Sequence, residues 1–207
     1  MTALRGLWIG TNNKKKLAEL RRLLGPLGLD LRTPEQLGQP FAPDEDQPTF
    51  AGNARKKAAL LATLAKGLAL ADDSGLCVDA LGGRPGVLSA RYGDPSLDDR
   101  GRMERLLDSL ARVRGPERKA HFTCSLCLCG PDGRVMTTIE ETCHGTLLTE
   151  PSGDGGFGYD PIFVPREFDG DPSKSFAQLD AETKDRLSHR GKALRVLVTR
   201  LPALLAR

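Results

Sequence analysis

No stretch of this 207-residue chain is apolar for long enough to span a bilayer, and the opening MTALRGLWIG has no apolar leader core. Both absences point away from a membrane partner and make the cytoplasm the expected compartment. Net charge is scarce too: 30 Lys and Arg against 27 Asp and Glu leave a formal charge of +3. That balance excludes a surface built to coat polymeric nucleic acid and favours a local basic site for a small anion. No repeat, low-complexity tract or linker interrupts the chain, so residues 1–207 read as one domain, at most divided into two lobes. A hydrophobic content of 39% and a charged content of 28% fit a globular protein.

Cysteine is sparse, at five residues. Cys124, Cys127 and Cys129, with Cys143 and His144, invite comparison with a zinc cluster. However, His121 to Leu128 reads as a strand, and a period of two puts Cys124 on the opposite face from Cys127 and Cys129. Core thiols are the better reading.

What the chain does have is concentrated between Leu68 and Gly93. A short apolar run, Leu68-Ala69-Leu70-Ala71, suits a buried strand and breaks into Asp72-Asp73-Ser74-Gly75. Two adjacent carboxylates at a strand end repel each other and lose hydration. A divalent cation such as Mg²⁺, which takes oxygen ligands from one or two carboxylates plus phosphates, compensates them best. Ser74 is suited to capping or to donating to a phosphate. Taken alone, such a pair is more often a solvated helix cap; the strand before it and the clustered glycines after it bring the two readings level.

Upstream, the apolar strand Leu7-Trp8-Ile9 leads through Gly10 into Thr11-Asn12-Asn13-Lys14-Lys15-Lys16, after which Leu17, Leu20 and Leu24 share a helical face. Free N–H groups and the dipole at a helix start attract anions. Lysines there oppose the dipole unless a negative ligand arrives; three solvated lysines are the competing account. The spaced glycines and GK[ST] ending of a P-loop are absent. Between Pro40 and Pro48 an irregular loop carries Asp44, Glu45 and Asp46. Thr49 then caps a helix over residues 50–66, whose stripe of Phe50, Ala54, Ala58 and Leu61 has Lys57 in its middle and Asn53 at its flank. A buried lysine needs a carboxylate or phosphate, unless it snorkels to water.

Residues 96–112 read as an amphipathic helix, and Gly130-Pro131-Asp132-Gly133 as the turn of a hairpin, which makes the sheet mixed. In GDGGFGYDPIFVP (Gly153 to Pro165), Phe157 stands among four glycines with little local cover. It offers either a stacking face for a base or a core ring under a glycine loop. Asp160 can accept from a ring N–H. Lys184, His189 and Arg190 put donors near the start of the last helix, with Ser188 as its cap. A His-Arg pair alone is more often surface than site.

In order, TNNKKK (11–16), Thr49-Phe50 with Asn53-Ala54 and Lys57-Ala58, ADDSGLCVDALGGRPGVLSARYG, GFGYDP (156–161) and SHRG (188–191) resemble the inosine triphosphate pyrophosphatase family. The resemblance implies an elongated, two-lobed α/β fold with a long mixed β-sheet flanked by helices, a central active-site cleft and a homodimer. It implies Mg²⁺-dependent hydrolysis of deaminated purine nucleoside triphosphates (ITP, dITP and XTP) to the monophosphate and pyrophosphate. By position, Asp73 is the catalytic carboxylate, binding Mg²⁺ and activating water, with Lys57 the second catalytic group. Glu45 is a second metal ligand, supported by Asp72. Thr11, Asn12, Asn13, Lys14, Lys15, Lys16 and Ser74 fall to the phosphates, and Phe157, Gly158, Tyr159, Asp160, Lys184, His189 and Arg190 to the purine. Four positions depart from the pattern: Asn12 and Lys15 where glycine is common, Gly52 for an acid, and Gln178 for glutamate. The alternatives are a related pyrophosphatase for modified pyrimidine nucleotides and a catalytically silent nucleotide sensor.

Overall fold

A computed structural model describes residues 6–168 and 170–205; residues 1–5, part of the opening MTALRGLWIG segment, lie outside them. In chain order the regular elements are β1 (Gly6–Ile9), α1 (Lys14–Leu24), β2 (Asp30–Arg32), α2 (Phe50–Ala65), β3 (Leu68–Val78), α3 (Asp99–Ser109), β4 (Lys119–Cys129), β5 (Val135–Leu147), β6 (Phe163–Pro165), α4 (Ala181–Leu187) and α5 (His189–Leu205), with short 3₁₀ turns between them. The strands form one six-stranded sheet in the order β2-β1-β3-β4-β5-β6. β1 runs parallel to β2 and β3, while β5 and β6 are antiparallel, so the sheet is mixed and the fold α/β. Among the described residues no helix is long and apolar enough to cross a membrane.

The chain forms two compact units. The first comprises the residues up to Asp73, Cys124–Glu141 and the residues from Arg190 onward; the second comprises Ser74–Thr123 and Thr142–His189. In the first unit the strands are covered on both faces, which explains their nearly continuous apolar sequences. Leu7, Ile9, Leu70, Cys124, Leu126 and Leu128 pack against Leu20 and Leu24 of α1 and Leu194 and Leu197 of α5. The alternate residues Trp8, Ala69, Ala71, Cys127 and Cys129 pack against Ala54, Ala58, Leu61 and Ala62 of α2. The cysteines divide between faces as their spacing requires, all five are free thiols, and no His/Cys/Asp/Glu group among the described residues could hold zinc.

The second unit is built around Leu76, Val78, Leu106, Leu110, Phe122, Phe163 and Phe176. Arg118, 5% exposed, fastens its edge. The guanidinium donates to the carbonyls of Leu110 (3.1 Å) and Val113 (3.3 Å) at the end of α3, and to those of Leu147 (2.8 Å) and Leu148 (2.6 Å). Gly145 of β5 lies opposite Pro165 of β6, and a β-carbon at Gly145 would run into the Val164 carbonyl. Gly145→Ala should therefore separate this pair at a cost of about 1–3 kcal/mol. A thermal melt is the check, and a parental midpoint would mean the strands relax freely.

Two local expectations are corrected. The Asp72-Asp73 pair does not end a strand: β3 runs on through Asp-Asp-Ser-Gly to Val78. The weak β-propensity of these residues is overridden by pairing and burial on both sides of them. α3 starts at Asp99, later than residue 96, because the Asp98 side chain caps it by accepting from Gly101 N at 2.8 Å.

Candidate active site

Because β3 stays extended, successive side chains leave it on opposite faces. Ala69 and Ala71 face α2, and Asp73 continues that row; Leu70 faces α1 and α5, and Asp72 continues the other. The two carboxylates therefore meet different partners.

On the α2 side, Asn53 and Lys57 are one turn apart and share a helix face. Asn53, fully buried, donates from Nδ2 to Asp73 Oδ2 at 2.9 Å and accepts at Oδ1 from Gln47 N at 2.9 Å. It thus ties the acidic loop to the strand. Lys57, 7% exposed, places Nζ 2.6 Å from Glu45 Oε1 and 3.5 Å from Asp73 Oδ1. Burial alone would lower the Lys57 pKa, but Asp72, Asp73 and Glu45 outweigh it and hold the ammonium charged. Asp73 moves the other way: burial lifts its pKa above the ordinary carboxylate value, and Lys57 and Asn53 only partly oppose this. Two carboxylates converge on one ammonium. Hard oxygen donors converging on one cation position suit Mg²⁺, so the donor chemistry fits. No set of three or more His, Cys, Asp or Glu among the described residues could hold a metal unaided. Phosphate oxygens and water would have to complete the shell, as is usual for this ion.

On the other face Asp72, 2% exposed, lies 3.1 Å from Lys16 Nζ. Arg190 reaches the same carboxylate through Nη2 at 3.1 Å and Nε at 3.3 Å, and its Nη1 donates to Glu19. Burial would raise the Asp72 pKa, but Lys16 and Arg190 prevail and hold it far below the ordinary range. Of the three expected metal ligands, Glu45 and Asp73 thus meet at one ammonium, while Asp72 sits with Lys16, Arg190 and Glu19. Arg190, expected with the purine, has its guanidinium in that set. Glu19 was not singled out from the sequence.

The turn before α1 differs from expectation in one respect. The N–H groups of Lys15 and Lys16 are not offered outward: Asn13 Oδ1 accepts from them at 2.9 and 3.1 Å. Thr11 Oγ1 accepts from Asn13 N at 3.1 Å, and Asn12 Nδ2 donates to Phe41 O at 3.0 Å. Asn12 thereby anchors the loop that carries Glu45, a task glycine could not perform. Lys14 and Lys15 are exposed, and Ser74 is half-buried within β3. Gly52 has a steric reason: a β-carbon there would come within 2.8 Å of Gln47 Cβ.

In the second unit, Phe157 is half-buried and Lys184 Nζ lies 5.0 Å from its ring centre. Lys184 also pairs with Asp160 Oδ2 at 2.6 Å, and the same oxygen accepts from Phe157 N at 2.8 Å. Asp160 braces the loop and the lysine together. His189 stacks on Phe122, with centroids 4.8 Å apart and planes at 10°. The Phe157 face with the Lys184 ammonium beside it can receive a flat, acceptor-bearing ring.

Comparison with known proteins gives a concordant picture. A family model described as the Ham1 family matches residues 7–200. A Gloeobacter violaceus protein named dITP/XTP pyrophosphatase is 48% identical over 197 residues, covering 95% of this chain and 94% of that protein. One of the same name from Desulforamulus reducens is 45% identical, covering 91% and 92%. A solved HAM1 protein structure from Coxiella burnetii superposes with a TM-score of 0.85 at 33% identity, covering 96% of this chain and 99% of that one.

Proposed function

The chain belongs to the Ham1 family, and from that premise we propose that it hydrolyses the deaminated purine nucleoside triphosphates ITP, dITP and XTP to monophosphate and pyrophosphate. The observation that carries the reading is the Glu45–Lys57–Asp73 trio, two hard-oxygen acids converging on one buried ammonium. Glu45 and Asp73 would hold Mg²⁺, which when bound neutralises phosphate charge and orders the groups for in-line displacement. Asp73 takes the proton from the attacking water. Asn53 keeps that carboxylate aimed. Lys57 and Lys16 offset the charge of the departing pyrophosphate. Phe157 stacks on the purine, and Lys184 and His189 donate to its 6-oxo oxygen. Adenine carries a 6-amino donor there and leaves both unmatched. The enzyme is read as one pyrophosphatase domain, a cytoplasmic homodimer acting on free nucleotides, in keeping with the family resemblance.

The test is pyrophosphate release across ITP, XTP, GTP, ATP and dUTP, with and without Mg²⁺. ITP and XTP should each yield equal amounts of pyrophosphate and monophosphate, with kcat/KM at least about a hundredfold above ATP. Chelating the metal should stop release. A preference for dUTP, or tight ITP binding without turnover at saturating Mg²⁺, would overturn the reading.

A further inference from the structure

Phe157 lies between Gly156 and Gly158, so the presentation of its ring depends on how the loop is fastened. The local bond from Phe157 N to Asp160 is one fastening. A second lies at the next aromatic: Tyr159, 5% exposed, donates its hydroxyl to Ser89 O at 2.9 Å. Ser89 is itself fixed, since its Oγ accepts from Leu76 N at 2.8 Å and donates to Gly86 O at 2.6 Å.

The third fastening comes from a residue 59 positions away: Gly158 N donates to Asp99 Oδ2 at 3.2 Å. Gly158 takes a left-handed φ of +60°, and a β-carbon there would meet nothing, so its requirement is conformational. That conformation turns its N–H towards Asp99. The other carboxylate oxygen of Asp99 lies 3.4 Å from Arg102 Nη1 one turn along α3, which limits its rotation. The carboxylate also occupies the first turn of α3, where the helix dipole favours a negative charge. Helix start, carboxylate and loop amide thus form one connected unit.

We propose that Asp99 is a positioning residue for base recognition: it touches no part of the substrate and pins Gly158 so that Phe157 presents its face. This rests on the reading of Phe157 as the purine platform. Three variants and two readouts test it. Asp99→Ala should raise KM for ITP about three- to tenfold, the worth of one partly exposed charge-assisted hydrogen bond, with kcat within about twofold of the parent. Asp99→Asn keeps an oxygen for Gly158 N and should recover most of the loss. By NMR, the Gly158 amide should exchange faster in Asp99→Ala than in the parent or Asp99→Asn. A parental KM in Asp99→Ala, equal impairment in the alanine and asparagine variants, or unchanged Gly158 exchange would overturn the assignment. Phe157→Ala separates the two levels. If it raises KM while Asp99→Ala does not, only the tether fails; if Phe157→Ala leaves KM unchanged, the platform reading falls and takes the tether's role with it.

Discussion

Asp73→Asn is expected to lower kcat by about three to four orders of magnitude while leaving the protein at least as stable as before. A positioned general base contributes about 10²–10⁴ to a rate, and asparagine also removes one of the two carboxylates proposed to hold the cation. The stability half follows from the sign of the pKa shift. Asp73 binds its proton more tightly folded than unfolded, because burial disfavours its charge. Its contribution is most favourable at low pH and is lost as pH rises through the folded pKa, so the ionised group costs stability at neutral pH. An uncharged isostere removes that cost and still has an oxygen for Asn53 Nδ2, while Lys57 keeps Glu45. Pyrophosphate release and a melt at pH 7 decide the matter. Near-parental kcat would remove Asp73 as the base, and a midpoint several degrees lower would make it a structural acid instead.

Its neighbour should behave in the opposite way. Asp72→Asn leaves Arg190, 3% exposed, and Lys16 without the carboxylate they share. Breaking a buried pair from one side costs about 3–5 kcal/mol, which for a chain of this size lowers the melting midpoint by on the order of 10 °C. Here the folded pKa is depressed. The stabilisation is present above the unfolded carboxylate pKa of about 3.9 and is lost as pH falls through the lower folded value. Melts of parent and variant should therefore differ most near neutrality and converge in strong acid. Equal midpoints at pH 7 would show that the network contributes nothing.

That contrast was partly legible in the sequence. A period of two requires consecutive aspartates to leave a strand on opposite faces, and it separated Cys124 from Cys127 correctly. At Asp72 and Asp73 the same period is masked, because Asp-Asp-Ser-Gly reads as a strand end. Continuation of β3 depends on neighbouring strands, which local propensity cannot register. The features that did read through are local ones: the Thr49 cap, the Lys57 position within the α2 stripe, and the glycine setting of Phe157. Partnerships across long separations did not. Arg190 is 118 residues from Asp72 and 171 from Glu19, and nothing near any of the three announces the others. Asn13 illustrates a second blind spot. A short polar side chain before a helix serves as cap or as ligand with the same letters, and only geometry tells which.

Arg118 has a consequence of its own. Its guanidinium is clasped by carbonyl oxygens of Leu110, Val113, Leu147 and Leu148, and amide carbonyls do not take up protons anywhere in the range a protein survives. The lock at the end of α3 is therefore indifferent to acidity, whereas the Lys16–Asp72–Arg190 lock dissolves once its carboxylate is neutralised. The two fastenings thus differ in kind: one is sensitive in principle to the protonation of a carboxylate, the other to none.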